Sequence, residues 1–142
     1  MTQHQPANTG FEEIEHTADL ALRIRGRNLN DLLFNAACGM STLLVANLTG
    51  IPLTHYEKIE IDAYDAESLL VNWLSELAYW AETEGIVFAW FELQNVTRTG
   101  LHATVQGGRV PDLKKHIKAV TYHNLEIIET TNGLEATVVF DV

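Results

Sequence analysis

LALRIRGRNLNDLLFNAACGM, residues Leu20 to Met40, changes its hydrophobic period halfway along. Leu20, Leu22 and Ile24 alternate with Ala21, Arg23 and Arg25, the period of two that marks a half-buried strand. After Gly26-Arg27 the period changes. Leu29, Leu32, Leu33, Ala36, Ala37, Met40 and Leu44 recur every three or four residues. That spacing puts them on one stripe of an amphipathic helix. Asn28 or Asn30 supplies its cap, because a side-chain oxygen there can accept an orphan amide of the first turn. A strand therefore feeds directly into a helix that must bury one face against a sheet.

The pattern repeats downstream. Gly50-Ile51-Pro52 punctuates the chain, and Tyr56 to Ala63 sets Ile59, Ile61 and Ala63 against Glu60 and Asp62. Asp65 caps a second helix whose apolar stripe is Leu69, Leu70, Trp73, Leu74, Leu77 and Trp80. Glu67, Glu76, Glu82 and Glu84 form its wet side, and Gly85 ends it. Upstream, Phe11 to Glu15 reads as a short strand. Downstream, Val87 to Val96 reads as a strand covered on both faces, with Phe88 and Trp90 sharing one side, and Leu101 to Val105 as another. Residues 107–117 are expected to form a loop with one helical turn after Pro111. Lys118 to Ile128 and Leu134 to Val142 are expected as the last strands, joined by a turn at Thr131-Asn132-Gly133. The class is α+β: two helices packed on a mixed or mostly antiparallel sheet. Two successive strand–helix–strand runs hint at an internal duplication. Residues 1–10 are expected to be a flexible lead and residues 11–142 a single domain.

The chain has 142 residues, with 9 Lys+Arg against 19 Asp+Glu and a formal net charge of −10. Proteins that grip nucleic acid unaided neutralise phosphates with Lys and Arg, so strong direct nucleic-acid binding is disfavoured. An anionic membrane surface is disfavoured for the same reason. The start, MTQHQPANTG, has neither a basic nor an apolar region of a leader, and no run approaches a membrane span. A single cysteine, Cys38, cannot form an intrachain disulfide; it lies in an apolar helical pattern with Ala36, Ala37 and Met40 and reads as a buried structural thiol rather than a nucleophile. The expected compartment is the cytoplasm.

Three stretches carry candidate chemistry. His16-Thr17-Ala18-Asp19 lies between two strands; taken alone it reads as a turn in which Asp19 bonds nearby amides. Phe140-Asp141-Val142 ends an apolar strand in a carboxylate, and the terminal carboxylate is expected one residue later. Such oxygens suit a hard divalent cation; a solvated tail is the plain alternative. Lys118-Ala119-Val120-Thr121-Tyr122-His123 is polar for a strand, and Lys118 could pair with Asp19 or Asp141, reach a phosphate, or face water. Paired cysteines, a phosphate loop and a nucleophile elbow are absent from the sequence. A metal-dependent hydrolase would require the fold to gather His16, His116 or His123 with Asp19 and Asp141. A general chaperone would require a sizeable exposed apolar patch, for which Phe88 and Trp90 are candidates.

Taken together, HTAD (His16–Asp19) after FEEIE, the helix stretch ESLL to WLSEL (Glu67–Leu77), IKAVTYH (Ile117–His123) and VVFDV (Val138–Val142) resemble the archease family over Phe11 to Val142. The resemblance implies a fold of two related strand–helix–strand–strand modules. It also implies a non-enzymatic accessory protein of tRNA splicing, which activates an RtcB-type RNA ligase by promoting its guanylylation and multiple turnover. The family binds a divalent cation, taken as calcium, with magnesium or manganese as alternatives. By that likeness the ligands here are Asp19, Asp141 and the main-chain oxygen of Val142. Lys118 is implied to matter for activating the partner, with His16 and His123 as supporting candidates. One departure lies at Gly107-Gly108-Arg109, where many members carry Gly-Glu; no role of that Glu carries over.

Overall fold

The computed structural model describes residues 9–15 and 19–142, so most of the expected lead, residues 1–8, lies outside the described residues. The elements are β1 (Phe11–Glu15), β2 (Leu20–Gly26), α1 (Leu29–Leu44), β3 (His55–Asp62), α2 (Ala66–Tyr79), β4 (Ile86–Thr97), β5 (Gly100–Arg109), β6 (Ala119–Val120), β7 (Ile128–Thr130) and β8 (Gly133–Asp141). The α+β class and the two helices stand as expected. The strands, however, divide between two sheets, one ordered β1-β2-β8-β6 with β7 also on β8, the other β3-β5-β4. Every pairing is antiparallel.

Period two sets the inner face of the first sheet. Leu20, Leu22 and Ile24 stand opposite Phe140, Val138 and Ala136, all buried. The outer face carries charge: Arg23 and Arg25 both bond Glu12, and Arg25 bonds Glu135, each at 3.0 Å. α1 begins where Asn28 accepts the amide of Asp31 at 2.9 Å, and Asp31 in turn accepts from Arg27 N–H at 2.9 Å. These bonds satisfy two donors that a helix start would otherwise leave open. α1 packs on both β2 and β4. Its Ser41 hydroxyl donates to the carbonyl of Phe88 at 2.8 Å. The two helices meet at Trp73, fully buried, whose indole N–H donates to the carbonyl of Leu33 at 3.0 Å. Cys38 is buried among these apolar residues.

Asp65 caps α2 by accepting the Ser68 amide at 2.8 Å. The helix does not run uniformly to Gly85: Trp80–Glu84 is a π-turn, closed by Gly85 at φ 68°, a conformation that glycine adopts without cost.

Three segments depart from expectation. Residues 107–109 are strand, not loop: Gly107 pairs with His55 and Phe88, and Gly108 with Val87. A side chain at Gly107 would run into the carbonyl of Val87, and one at Gly108 into that of Pro52. The two glycines therefore let three stretches of backbone close on each other. No helical turn follows Pro111. The long strand expected over Lys118 to Ile128 is reduced to β6 and β7. The Thr121 hydroxyl donates to the carbonyl of Val139 (2.8 Å) and accepts the amide of His123 (3.3 Å), which turns the chain off the sheet. Finally, β4 skips a residue between Phe88 and Trp90. That bulge sends Phe88 into the core and Trp90 to the opposite face, so the two do not share a side.

Candidate functional site

Three of the candidate residues sit next to a buried anchor. Leu20, Phe140 and Ile117 are buried, and Asp19, Asp141 and Lys118 follow or precede them on the exposed side of the alternation. The core thus fixes three backbones and pushes three charged side chains into water at one end of the first sheet. The ladder between β2 and β8 ends with Leu20 opposite Phe140. Asp19 and Asp141 are the residues next to that last pair, one on each chain segment. On the other side of β8, Ala119 pairs with Asp141, and the Lys118 amide donates to the Asp141 carbonyl at 2.8 Å. Val142 follows, also exposed. Segments that lie about a hundred residues apart in sequence therefore share this corner.

His123 is exposed, three residues past β6, with its ring 3.3 Å from the Asn124 amide nitrogen. His16 lies outside the described residues. His116 is held elsewhere, 3.1 Å from Glu82, and His55 and His102 lie near Glu57 and Glu60. The donors that the residues at this end of the sheet could offer are oxygens: the carboxylates of Asp19 and Asp141 and the main chain of Val142. They suit a hard cation rather than one that prefers imidazole or thiolate. Two carboxylates in one place also repel unless a cation or an amine offsets them, and the corner has Lys118 beside it. Among the described residues, no three His, Cys, Asp or Glu side chains group closely enough to hold an ion by themselves. Any ion here would draw on main-chain oxygen as well.

Sequence reasoning named Thr121 and Glu67 but gave neither a partner. Thr121 locks β6 to Val139, and Glu67 accepts the Ile127 amide at 3.0 Å, tying the segment after His123 to the first turn of α2. A threonine followed by Tyr-His-Asn was the available signal for a chain leaving a strand. At the departure from the family pattern, Arg109 donates to the carbonyl of Glu84 at 3.1 Å, where a cation complements the carbonyl end of the π-turn.

Residues 11–142 match the sequence profile of the Archease protein family (MTH1598/TM1083). Protein archease of Methanosarcina barkeri is 35% identical over 140 residues, covering 93% of this chain and 95% of that one. Protein archease of Sulfurisphaera tokodaii is 33% identical over 140 residues, covering 93% and 98%. The solution structure of protein 1598 from Methanobacterium thermoautotrophicum superposes with a TM-score of 0.77 at 29% identity, covering 94% and 99%. A Thermotoga maritima crystal structure, described as an archease and possible chaperone, matches in fold with a TM-score of 0.65 at 22% identity, covering 92% and 96%.

Proposed function

The chain belongs to the archease family, and from that membership we propose that it is a non-enzymatic, cytoplasmic accessory protein of tRNA splicing. It activates an RtcB-type RNA ligase by promoting guanylylation and multiple turnover. Asp19, Asp141 and the main-chain oxygen of Val142 hold a divalent cation, calcium first and magnesium or manganese as alternatives. Lys118 acts on the partner from beside them.

The observation that supports this reading is the shared corner of Asp19, Asp141 and Lys118, exposed together while their neighbours Leu20, Phe140 and Ile117 are buried. An exposed charged tip at a strand end is suited to entering another protein's cleft. A protein of net charge −10 can serve RNA joining in this way while its partner holds the RNA. The cation, when bound, offsets the two carboxylates and orders the end of β8 against β2. A general chaperone is less well supported, because Phe88, one of the two residues suggested for an apolar patch, is 2% exposed.

The test is a guanylylation assay on the purified cognate ligase, with and without this protein. Added protein should raise both guanylylation and turnover number. Asp19→Ala and Asp141→Ala each remove a ligand, so each should weaken cation binding by more than the roughly 10–100-fold that loss of a mere outer-shell partner costs, and lose most of the stimulation at limiting calcium. Lys118→Ala should lose stimulation while keeping the cation. Undiminished stimulation by all three variants would sink the reading. Phosphoester hydrolysis by the protein alone with added metal would instead favour a hydrolase using Asp19, Asp141 and His16 or His123.

A further inference from the structure

β3 forms one edge of the second sheet, with β5 on one side and, among the described residues, no strand on the other. The direction of its backbone groups can be worked out. Ala63 donates its amide to the carbonyl of Thr99, 2.9 Å away, in the stretch that leads into β5. In an antiparallel ladder a residue's N–H and C=O point to the same side, and the sides alternate. Glu57, Ile59 and Ile61 therefore turn their backbone groups toward β5. Tyr56, Lys58, Glu60 and Asp62 turn theirs to the open edge. One bond confirms the direction: the Asn72 side chain on α2 donates to the carbonyl of Asp62 at 3.2 Å.

A groove of about 450 Å³ runs along this edge, lined by Glu60, Ile61, Asp62, Asn72, Ser75, Glu76 and Tyr79. The α2 members recur at three- and four-residue spacing, so one stripe of the helix forms the wall opposite the strand edge. Tyr79, 57% exposed, stands at its mouth. Three carboxylates line the groove and no Lys or Arg does; Lys58 stands further along the strand.

We propose that the groove between the β3 edge and α2 binds an extended, lysine- or arginine-bearing segment of a partner protein, which adds to β3 as a fourth strand. Main-chain hydrogen bonds to Lys58 and Glu60 hold the segment, as in other strand-addition sites. Glu60, Asp62 and Glu76 select basic side chains at one end, and the ring of Tyr79 offers a cation–π surface. Lys58 disfavours them at the other end, which gives the site a polarity. A second copy of this chain is the weaker occupant, because it would bring its own carboxylates and a net charge of −10 to the same groove. The groove lies on the other sheet from Asp19 and Asp141, so it stands or falls independently of the cation reading.

The test uses the full chain labelled with nitrogen-15. The probe is an acetylated seven-residue peptide of alternating lysine and valine, with the glutamate–valine peptide as control. In the free chain, the amides of Lys58 and Glu60 should exchange quickly while those of Ile59 and Ile61 exchange slowly. The lysine peptide should slow the first pair and shift resonances over residues 58–62 and 72–79; the glutamate peptide should do neither. Glu60→Gln with Glu76→Gln should weaken binding about fivefold. The control pair Glu126→Gln with Glu129→Gln, which removes the same charge elsewhere, should leave it unchanged. Ser75→Trp, which fills the groove without altering charge, should also abolish binding. Shifts spread over all acidic surfaces, equal weakening by the control pair, or full binding by Ser75→Trp would overturn the proposal. So would protection of Lys58 and Glu60 in the free chain that disappears on dilution, since that would make a second copy the occupant.

Discussion

The first sheet is assembled from both ends of the chain, whereas the second comes from the contiguous stretch His55 to Arg109. In the first, β8 lies between β2 on one side and β6 and β7 on the other. Its closure brings residues 19, 118 and 141 to one corner, and that corner exists only when the whole chain has folded. In the second, β4 and β5 are joined by a hairpin, and β3 with α2 presents an open edge. The difference shows two ways to build a surface for a partner. A corner of distant charges depends on global folding, while a strand edge beside a helix depends on local structure. Edges of the second kind must also be protected from unwanted pairing. Glu57, Lys58, Glu60 and Asp62 supply charge along β3 for that purpose.

The largest test of this comparison is core truncation. Phe140 and Phe91 are each fully buried, one in each sheet. Replacing either with Ala should cost about 3–5 kcal/mol in urea unfolding. If the corner depends on closure of the first sheet, Phe140→Ala should also lose the calcium response under conditions where it is still folded, whereas Phe91→Ala should keep it. Equal loss in both would break the distinction.

Ligand linkage gives the next effect. Calcium at about 100 times its dissociation constant should stabilise the protein by about 2.7 kcal/mol, read as a rise in Tm. Asp141→Asn should remove that rise and leave the metal-free protein nearly as stable, because Asp141 is exposed. Neutralising the β3 edge with Glu60→Gln should leave the rise intact.

The smallest effect is acidic. Hydrogen bonds from Arg23 and then Arg25 hold the Glu12 carboxyl below the ordinary carboxylate range, and the Ser68 backbone amide and hydroxyl do the same for Asp65. A carboxylate whose folded pKa is depressed stabilises the fold above its unfolded pKa, and that contribution is lost as pH falls through the folded value. Stability should therefore fall on acidification through the carboxylate range. Glu12→Gln should flatten part of that slope, with a small amplitude because the group is exposed to solvent. An unchanged pH profile in Glu12→Gln would show that the outer-face charges of the first sheet contribute nothing measurable.

The switch from period two to period three and four between Ile24 and Leu29 was enough to place β2 and α1, because burial of one face is a local property of spacing. Asp65 was legible as a cap for the same reason, a side-chain oxygen bonding an amide three residues away, and the first cap was legible as Asn28 or Asn30, of which the structure uses Asn28. The segment after Lys118 was not legible. Its fate hangs on Thr121 bonding Val139 and Glu67 bonding Ile127, contacts across 18 and 60 residues. Nor was the side that Phe88 takes, since the bulge at Ala89 that sets it apart from Trp90 shows only in the pairing of β4 with β5. Asp19 and Asp141 could be suspected singly, and their likeness to a family joined them on paper. Only the β2–β8 register puts them at one end of one sheet. Periodicity, capping and charge are written in neighbouring residues; which strands pair, and so which charges meet, is decided when buried side chains from distant segments share one core.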